Sequence, residues 1–465
     1  MADRILFLTG HLARARLERV LAGAGDLGFE WSIFDVGVKV AALMTEAIIA
    51  RRLKRPLEAD RVIVPGRCRA DLERLTKSFD VRFERGPDEL KDLPAYFGRR
   101  GRNLDLSRYD MRIFAEIVDA CMLTVDQILE RATTMRAAGA DVIDLGCLPD
   151  TPFPHLEDTV RALRASGFTV SVDSAATEEL RCGGAAGANF LLSLTENTLD
   201  IAAETGAAAI LVPAPHGDVA SLLRAAEAAE RRGIAAILDP VIDPIHFGFT
   251  ASLTRYTELR RALPRAEILM GTGNLTELTD ADSCGVTAML VGICSELHIR
   301  NLLVVQVSPH TRRTVQEHDA ARRLMFAARA DASLPKDYGN ALLGLHERRP
   351  FPNAPHEIAE LAGQVKDDNF RIEVAEDGIH VYNRHGHHVG QDAMSLYSKL
   401  GVEADGAHAF YLGAELMKAE IAWRLGKRYA QDESLAWGCA IDGPSDDLTR
   451  LSDVGPTLQS SVPER

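Results

Sequence analysis

The sequence predicts an α/β chain whose central part, about residues 111–330, is a (β/α)8 TIM barrel. Three observations predict it. Short runs rich in Val, Ile and Leu recur at 112–118, 141–145, 169–173, 189–194, 208–212, 235–239, 268–271 and 302–307. Helical stretches separate them at 125–138, 156–165, 177–186 and 218–232, and another at 318–330 follows the last run. Polar residues gather where the runs end. Strands apolar on both faces suit burial between a barrel core and a ring of helices. Eight such units in about 220 residues approach the usual size of the fold. An open doubly wound sheet is the other arrangement the pattern admits.

The flanks read differently. Residues 1–106 alternate strand-like runs (5–9, 31–36, 61–64) with helical stretches (13–21, 40–53, 70–78), which predicts a small Rossmann-like open parallel sheet. No GxGxxG or Walker pattern accompanies it, so nucleotide binding is not indicated and a docking or lid domain is expected. The Arg- and Gly-rich stretch 98–109 reads as a linker into the barrel domain, 107–335. Residues 336–440 predict a small α+β domain: runs at 370–374 and 379–382 flank Glu376-Asp377-Gly378, a hairpin signal, and a helix at 409–425 sets Leu412, Leu416 and Ala419 toward a sheet. Residues 441–465, polar with Gly, Pro and Ser, read as a mobile tail.

Composition narrows the function classes. The 465-residue chain is 46% hydrophobic and 26% charged, with a formal net charge of −14. That charge argues against nucleic acid as a partner, because sequence-independent binding needs Lys and Arg on phosphates. Seven cysteines, none in a CxxC pair, fit reduced thiols in a cytoplasmic protein better than a disulfide framework or a zinc cage. The N-terminal run ends at Gly10 and reads as a strand, not a signal peptide; no apolar run nears the ~18 residues needed to span a bilayer. No metal site is expected: His385, His387 and His388 match no strong ligand spacing and read as a polar loop. Glu415, Lys418 and Glu420 read as a solvated helix face with local ion pairs.

Barrel active sites lie at the C-terminal strand ends. The runs bring there, in order, Glu116 and Asp119; Asp144; Asp173 and Ser174; His216 after the fifth; Asp239-Pro240; Asn274 after the seventh; and Ser308, His310, Arg312 and Arg313 after the eighth, while Asn189 opens the fourth. So many carboxylates and amides on successive strands point to a pocket.

Those residues resemble a known family. Gly139-Ala140-Asp141-Val142-Ile143-Asp144-Leu145-Gly146, Val170-Ser171-Val172-Asp173-Ser174, Gly187-Ala188-Asn189, and Ile237-Leu238-Asp239-Pro240 followed by Phe247-Gly248-Phe249 are similar to motifs of dihydropteroate synthases and related pterin-binding barrels. The resemblance covers roughly half the chain. It implies that Asp173, Asn189 and Asp239 hold a pterin, with Asp119 as a fourth member. Chemically the set suits a pterin, whose aminopyrimidinone edge offers N–H donors to carboxylates and amides. Two positions depart from the family. The seventh strand end, Met270-Gly271-Thr272-Gly273-Asn274, lacks its Lys, and Asn274 is similar instead to an Asn of pterin-dependent corrinoid methyltransferases. The eighth carries Gln306-Val307-Ser308-Pro309-His310 in place of Arg-x-His.

The three-part architecture, with the stretch 408–420, resembles a group of methanogenic archaea and methylotrophic bacteria linked to tetrahydromethanopterin. Together these imply a transferase in one-carbon cofactor biosynthesis. It would join a dihydropterin-methyl diphosphate to an arylamine, of the p-aminobenzoate type or a ribofuranosyl-aminobenzene phosphate, with Mg2+ on the diphosphate. Asp173, Asp239 and Asn274 are the expected catalytic residues; Asp119, Asp144, Asn189, His216, His310, Arg312 and Arg313 are the expected substrate-binding ones. Arg312 and Arg313 would meet a phosphate. A pterin-dependent methyltransferase and a non-catalytic pterin-binding subunit are the alternatives. A homodimer is compatible with all three.

Overall fold

The computed structural model describes residues 3–25, 27–98, 105–345, 347 and 350–441. It falls into two compact units that part between Gly339 and Asn340. The expected tail, apart from Ile441, and linker residues 99–104 lie outside the described residues.

In the first unit, β1 (Asp3–Thr9), β2 (Phe29–Asp35), β3 (Arg61–Val64) and β4 (Arg82–Arg85) form a parallel sheet in the order β2-β1-β3-β4. The fourth strand was not expected: its sequence, Arg-Phe-Glu-Arg, carries one apolar residue, Phe83, which packs into the core. The single helix expected at 40–53 is a 3-10 turn, Ala41–Leu43, and a helix, Glu46–Arg52. Thr45 divides them, because its Oγ1 accepts from the Ile48 N–H as an N-cap.

Eight parallel strands then close into a barrel: β5 (Arg112–Ile117), β6 (Val142–Gly146), β7 (Val170–Asp173), β8 (Phe190–Leu194), β9 (Ala208–Leu211), β10 (Ala236–Leu238), β11 (Glu267–Gly271) and β12 (Asn301–Val304). The fold is the expected (β/α)8 barrel. Closure is direct, with β12 paired to β5 from Asn301↔Arg112 to Val304↔Ala115. Helix Val125–Ala137 starts where the periodicity says and opens with a reciprocal Thr124–Gln127 capping box.

The interior is layered. Phe114, Val142, Leu192, Ile210, Ile237 and Leu269 form the apolar layer, with Phe190 and Leu303 against it. Below it, Arg112 donates to Asn301 Oδ1 at 2.9 Å, and Asn301 donates to Glu267 and to the Ile268 carbonyl. Above it, the pleat brings the side chains two residues on to the same face.

The last barrel helix, Thr314–Ala330, is tied across the strand starts by Arg322, which is 1% exposed. Its guanidinium donates to the Met111 and Gly139 carbonyls and to Asp141 and Asp319, and lies 3.6 Å from the Tyr109 ring centroid. No helix among the described residues is long and apolar enough to cross a membrane.

In the second unit, β13 (Arg371–Ala375), β14 (Gly378–Asn383) and β15 (Gly386–Gly390) make an antiparallel sheet. Glu376 and Asp377 make the turn; Gly378 opens β14 at φ +144°, and a Cβ there would sit 2.5 Å from the Gly390 carbonyl oxygen. Helix Gly406–Leu425 sets Leu412, Leu416 and Ala419 against Ile372, Val374, Ile379 and Val381, as its spacing predicts. Two expectations are corrected. The His-rich segment is strand β15, not a loop; His387 bonds His380, which bonds Asp377. Glu415 and Glu420 are buried, because Glu415 accepts from the Tyr429 hydroxyl and Glu420 from the Ala393 N–H.

Replacing Arg322 by Met should cost about 3 kcal/mol, since removing one partner of a buried ion pair strands the others. Urea unfolding measures this; a loss under about 1 kcal/mol would mean the clamp adds little.

Candidate functional site

A cavity of about 360 Å³ opens at the C-terminal strand ends. It is lined by Glu116 of β5, Asp173 of β7, Leu192 and Ser193 of β8, Val212, Asp239, Val241, Ile242, Gly271, Gly273, Asn274, Glu277, Leu278, Leu303 and Val305. Four acidic side chains line it, and among the described residues no Lys or Arg does.

The three expected catalytic residues meet there. Asp239 follows β10 and is 7% exposed. Its Oδ1 accepts from the Val241 N–H at 2.8 Å and the Tyr256 hydroxyl at 2.9 Å. Burial nevertheless pushes its carboxyl up to about 6, against the lowering effect of those bonds. The loop beyond it is pinned by Arg255, which donates to the Pro240 and Val241 carbonyls and to Asp243. Asn274 donates through Nδ2 to the Ile242 carbonyl at 2.7 Å. Asp173 ends β7, its carboxyl held well above the usual range by burial and then by Asp144, Glu116 and Asp239.

Asp144, fully buried, lies under the cavity, and neither carboxylate oxygen finds a hydrogen-bond partner. Ser171, its partner in strand register, sits beside it and favours its charged form without reaching good bond geometry. Glu116 lies close, pushed up by burial and then by the Asp144 charge. Oxygens of Glu116, Asp144 and Asp173 all lie within 4.8 Å of one another. Gly146 makes this approach feasible, since a Cβ there would be 2.6 Å from Glu116 Oε1.

The other expected binding residues lie outside the cavity lining. Asn189 stands before β8, at the opposite end of the strand, where its Oδ1 accepts from the Val170 N–H. Asp119 is about half exposed and paired with Arg131 at 2.6 Å. His216 bonds Asp243 at 2.8 Å and so buttresses the Asp239 loop from outside. His310 reaches the Thr276 carbonyl at 3.1 Å. Arg312 is exposed and Arg313 half-buried; neither lines the cavity.

Two lining acids carried no expected role. Glu116 was placed at its strand end, two residues beyond inward-facing Phe114, but was given no part in the site. Glu277 lies a helical turn past Asn274 and had no such strand-end signal. It accepts from Val307 and Ser308 N–H and from the Thr311 hydroxyl, bonds that outweigh burial and hold its carboxyl below the usual range.

Residues 3–88 match a family of unknown function, DUF6513. Across 93% of its length the chain is similar to an uncharacterized protein, MJ0107, of Methanocaldococcus jannaschii, at 25% identity and with 99% of that protein covered. Among solved structures, the chain is similar to a Yersinia pestis dihydropteroate synthase in complex with a sulfonamide drug (20% identity, 50% of this chain, 98% of that one, TM-score 0.39). It is likewise similar to the Thermus thermophilus dihydropteroate synthase in complex with 4-aminobenzoate (24%, 49%, 99%, TM-score 0.36) and to Mycobacterium tuberculosis Rv1207 (22%, 49%, 94%, TM-score 0.35).

His318 supports the wall that carries Asn274. Fully buried, it bonds the Thr272 hydroxyl at 2.9 Å and the Thr314 carbonyl at 2.6 Å. Burial pushes its imidazole down to about 4 from 6.5. The unfolded chain therefore binds the proton first, so this stability is complete above about pH 6.5 and is lost as pH falls toward about 4. Denaturant unfolding across that window should show the loss, and His318→Gln should flatten it. Equal slopes for both proteins would refute the assignment.

Proposed function

We propose that the chain is a pterin-binding transferase of the dihydropteroate-synthase type, acting in tetrahydromethanopterin or folate-type cofactor biosynthesis in the cytoplasm. The observation that carries the reading is the meeting of Asp173, Asp239 and Asn274 on one cavity. A pterin edge is rich in N–H donors, and these groups offer the acceptors. Asp239 keeps Oδ2 outside its bonds to Val241 and Tyr256, and Asn274 keeps Oδ1 outside its bond to Ile242.

In this reading a dihydropterin-methyl diphosphate loses diphosphate as its C–O bond breaks. The arylamine nitrogen forms the new C–N bond and releases a proton. The carboxylates stabilise the electron-poor pterin as charge develops. Among the described residues the cavity offers no cationic side chain to the leaving diphosphate, so Mg2+ carried with it would supply that charge. Arg312 and Arg313, outside the cavity, would meet only a distal group, the phosphate of a ribosylated arylamine. The same lack of a cation favours a second reading, methyl transfer from a methyl-tetrahydropterin, in which no anion departs.

Calorimetry and turnover separate these outcomes. Asp239→Asn should weaken dihydropterin binding about ten- to a hundredfold by removing a charge-assisted bond. Arg312→Ala with Arg313→Ala should raise the KM for a phosphorylated arylamine and leave pterin affinity alone. Turnover of a methyl-tetrahydropterin with a corrinoid acceptor, and none of the diphosphate with arylamine, would decide for the second reading.

A further inference from the structure

We propose that Glu116, Asp144 and Asp173, with the Ser171 hydroxyl, form a resident binding site for a hard divalent cation, Mg2+ or Mn2+, at the floor of the barrel cavity. The three carboxylates come from adjacent strands, β5, β6 and β7, and their nearest oxygens lie within 4.8 Å of one another. Three oxygens evenly spread on one such ion at about 2.1–2.4 Å lie at most about 3.6–4.2 Å apart, so side chains at the outer bound close in by up to about an ångström to hold an ion.

A second observation points the same way. Asp144 and Ser171 are fully buried, and Asp144 Oδ1, Asp144 Oδ2 and Ser171 Oγ all lack a hydrogen-bond partner. Buried polar atoms are ordinarily satisfied, and buried charges are paired or bind metal. Among the described residues none of the three acids is in an ion pair with Lys, Arg or His, and no cation is a neighbour that shifts them. The Ser171 hydroxyl, beside Asp144 in strand register, adds a neutral oxygen that an oxygen-ligated ion would use.

The donor set selects the ion. All donors are oxygens, which suit Mg2+ and Mn2+ over softer metals. The neighbouring Cys147 thiol is a soft donor, which a hard cation disfavours against carboxylate and hydroxyl oxygens. Glu116 and Asp173 also line the cavity, so an ion between them would place positive charge at the floor of an otherwise acidic pocket. There it could meet an anionic group of whatever ligand enters.

The test needs no pterin, so it stands apart from the proposed reaction. Chelator-stripped full-length chain is titrated with Mg2+, Mn2+ and Ca2+ in a calorimeter, and bound metal is counted by mass spectrometry. One ion per chain is expected, with Mn2+ or Mg2+ bound more tightly than Ca2+. Asp144→Asn should weaken binding at least about tenfold, since even outer-shell changes commonly cost that much. Ser171→Ala, the milder variant, should weaken it several-fold and keeps the proposal testable if Asp144→Asn does not fold. Asp119→Asn, an exposed ion-pair residue, should leave it unchanged. No saturable binding of any ion overturns the site. So does binding unchanged in Ser171→Ala and in a folded Asp144→Asn, or an Asp144→Asn chain that melts higher while wild type ignores metal, which would mean the acids merely share protons. Metal binding without pterin binding would sink the proposed reaction and leave this site standing.

Discussion

Strand pleat inside a closed parallel barrel fixes what this chain can do. Each strand sends alternate side chains inward, and the interior has room for only a few layers. Here one layer is apolar, with Phe114, Val142, Ile210, Ile237 and Leu269 among its members. Two residues further along β5, β6 and β10, the same face carries Glu116, Asp144 and Asp239. Asp173 joins them because its register partner is Leu192, itself in the apolar layer. The apolar layer sets the dielectric under the acids, and burial is accordingly the largest cause of every upward carboxyl shift among the four. The fold supplies the ring, and the acids supply a field inside it that only donors, protons or cations relieve.

Much of this was legible in the sequence, because the signals are local. Short apolar runs with helical stretches between them specify a buried parallel strand wherever they occur, and eight in succession leave little besides a barrel. The residues after those runs were legible for the same reason, and Asp173, Asp239 and Asn274 do share the cavity. Asn189 was misplaced because it precedes its run; a residue before a strand faces the other end of the barrel. Asp119, His216 and His310 follow their strands yet are held by Arg131, Asp243 and the Thr276 carbonyl. Those partners are chosen by three-dimensional neighbours that no spacing rule encodes.

The same limit explains the second unit. Glu415 and Glu420 sit on a helix whose spacing looks solvated, but Tyr429 and the Ala393 N–H come from other elements and bury them. Strand β15 holds two glycines and two histidines in five residues, so its propensity is poor; pairing with β14 makes it a strand. In both cases a non-local contact overrides the local pattern.

The four lining acids are not equivalent, and the difference bears on what the cavity accepts. Glu277 is satisfied by three donors on the loop after β12 and stays ionised as a structural tie. Asp239 is half satisfied: Oδ1 is anchored by Tyr256 and Val241, which orients Oδ2 at no entropic cost when a ligand arrives. Burial and then the Asp144 charge beneath them raise both Glu116 and Asp173, and Glu116 and Asp239 raise Asp173 further. The cavity is thus graded, from fixed anion at one wall, through a poised acceptor, to a pair of acids whose ionisation awaits compensation. A flat ligand with several N–H groups on one edge answers the poised acceptor, and positive charge answers the pair. An anionic group would be tolerated among these acids only where positive charge accompanied it.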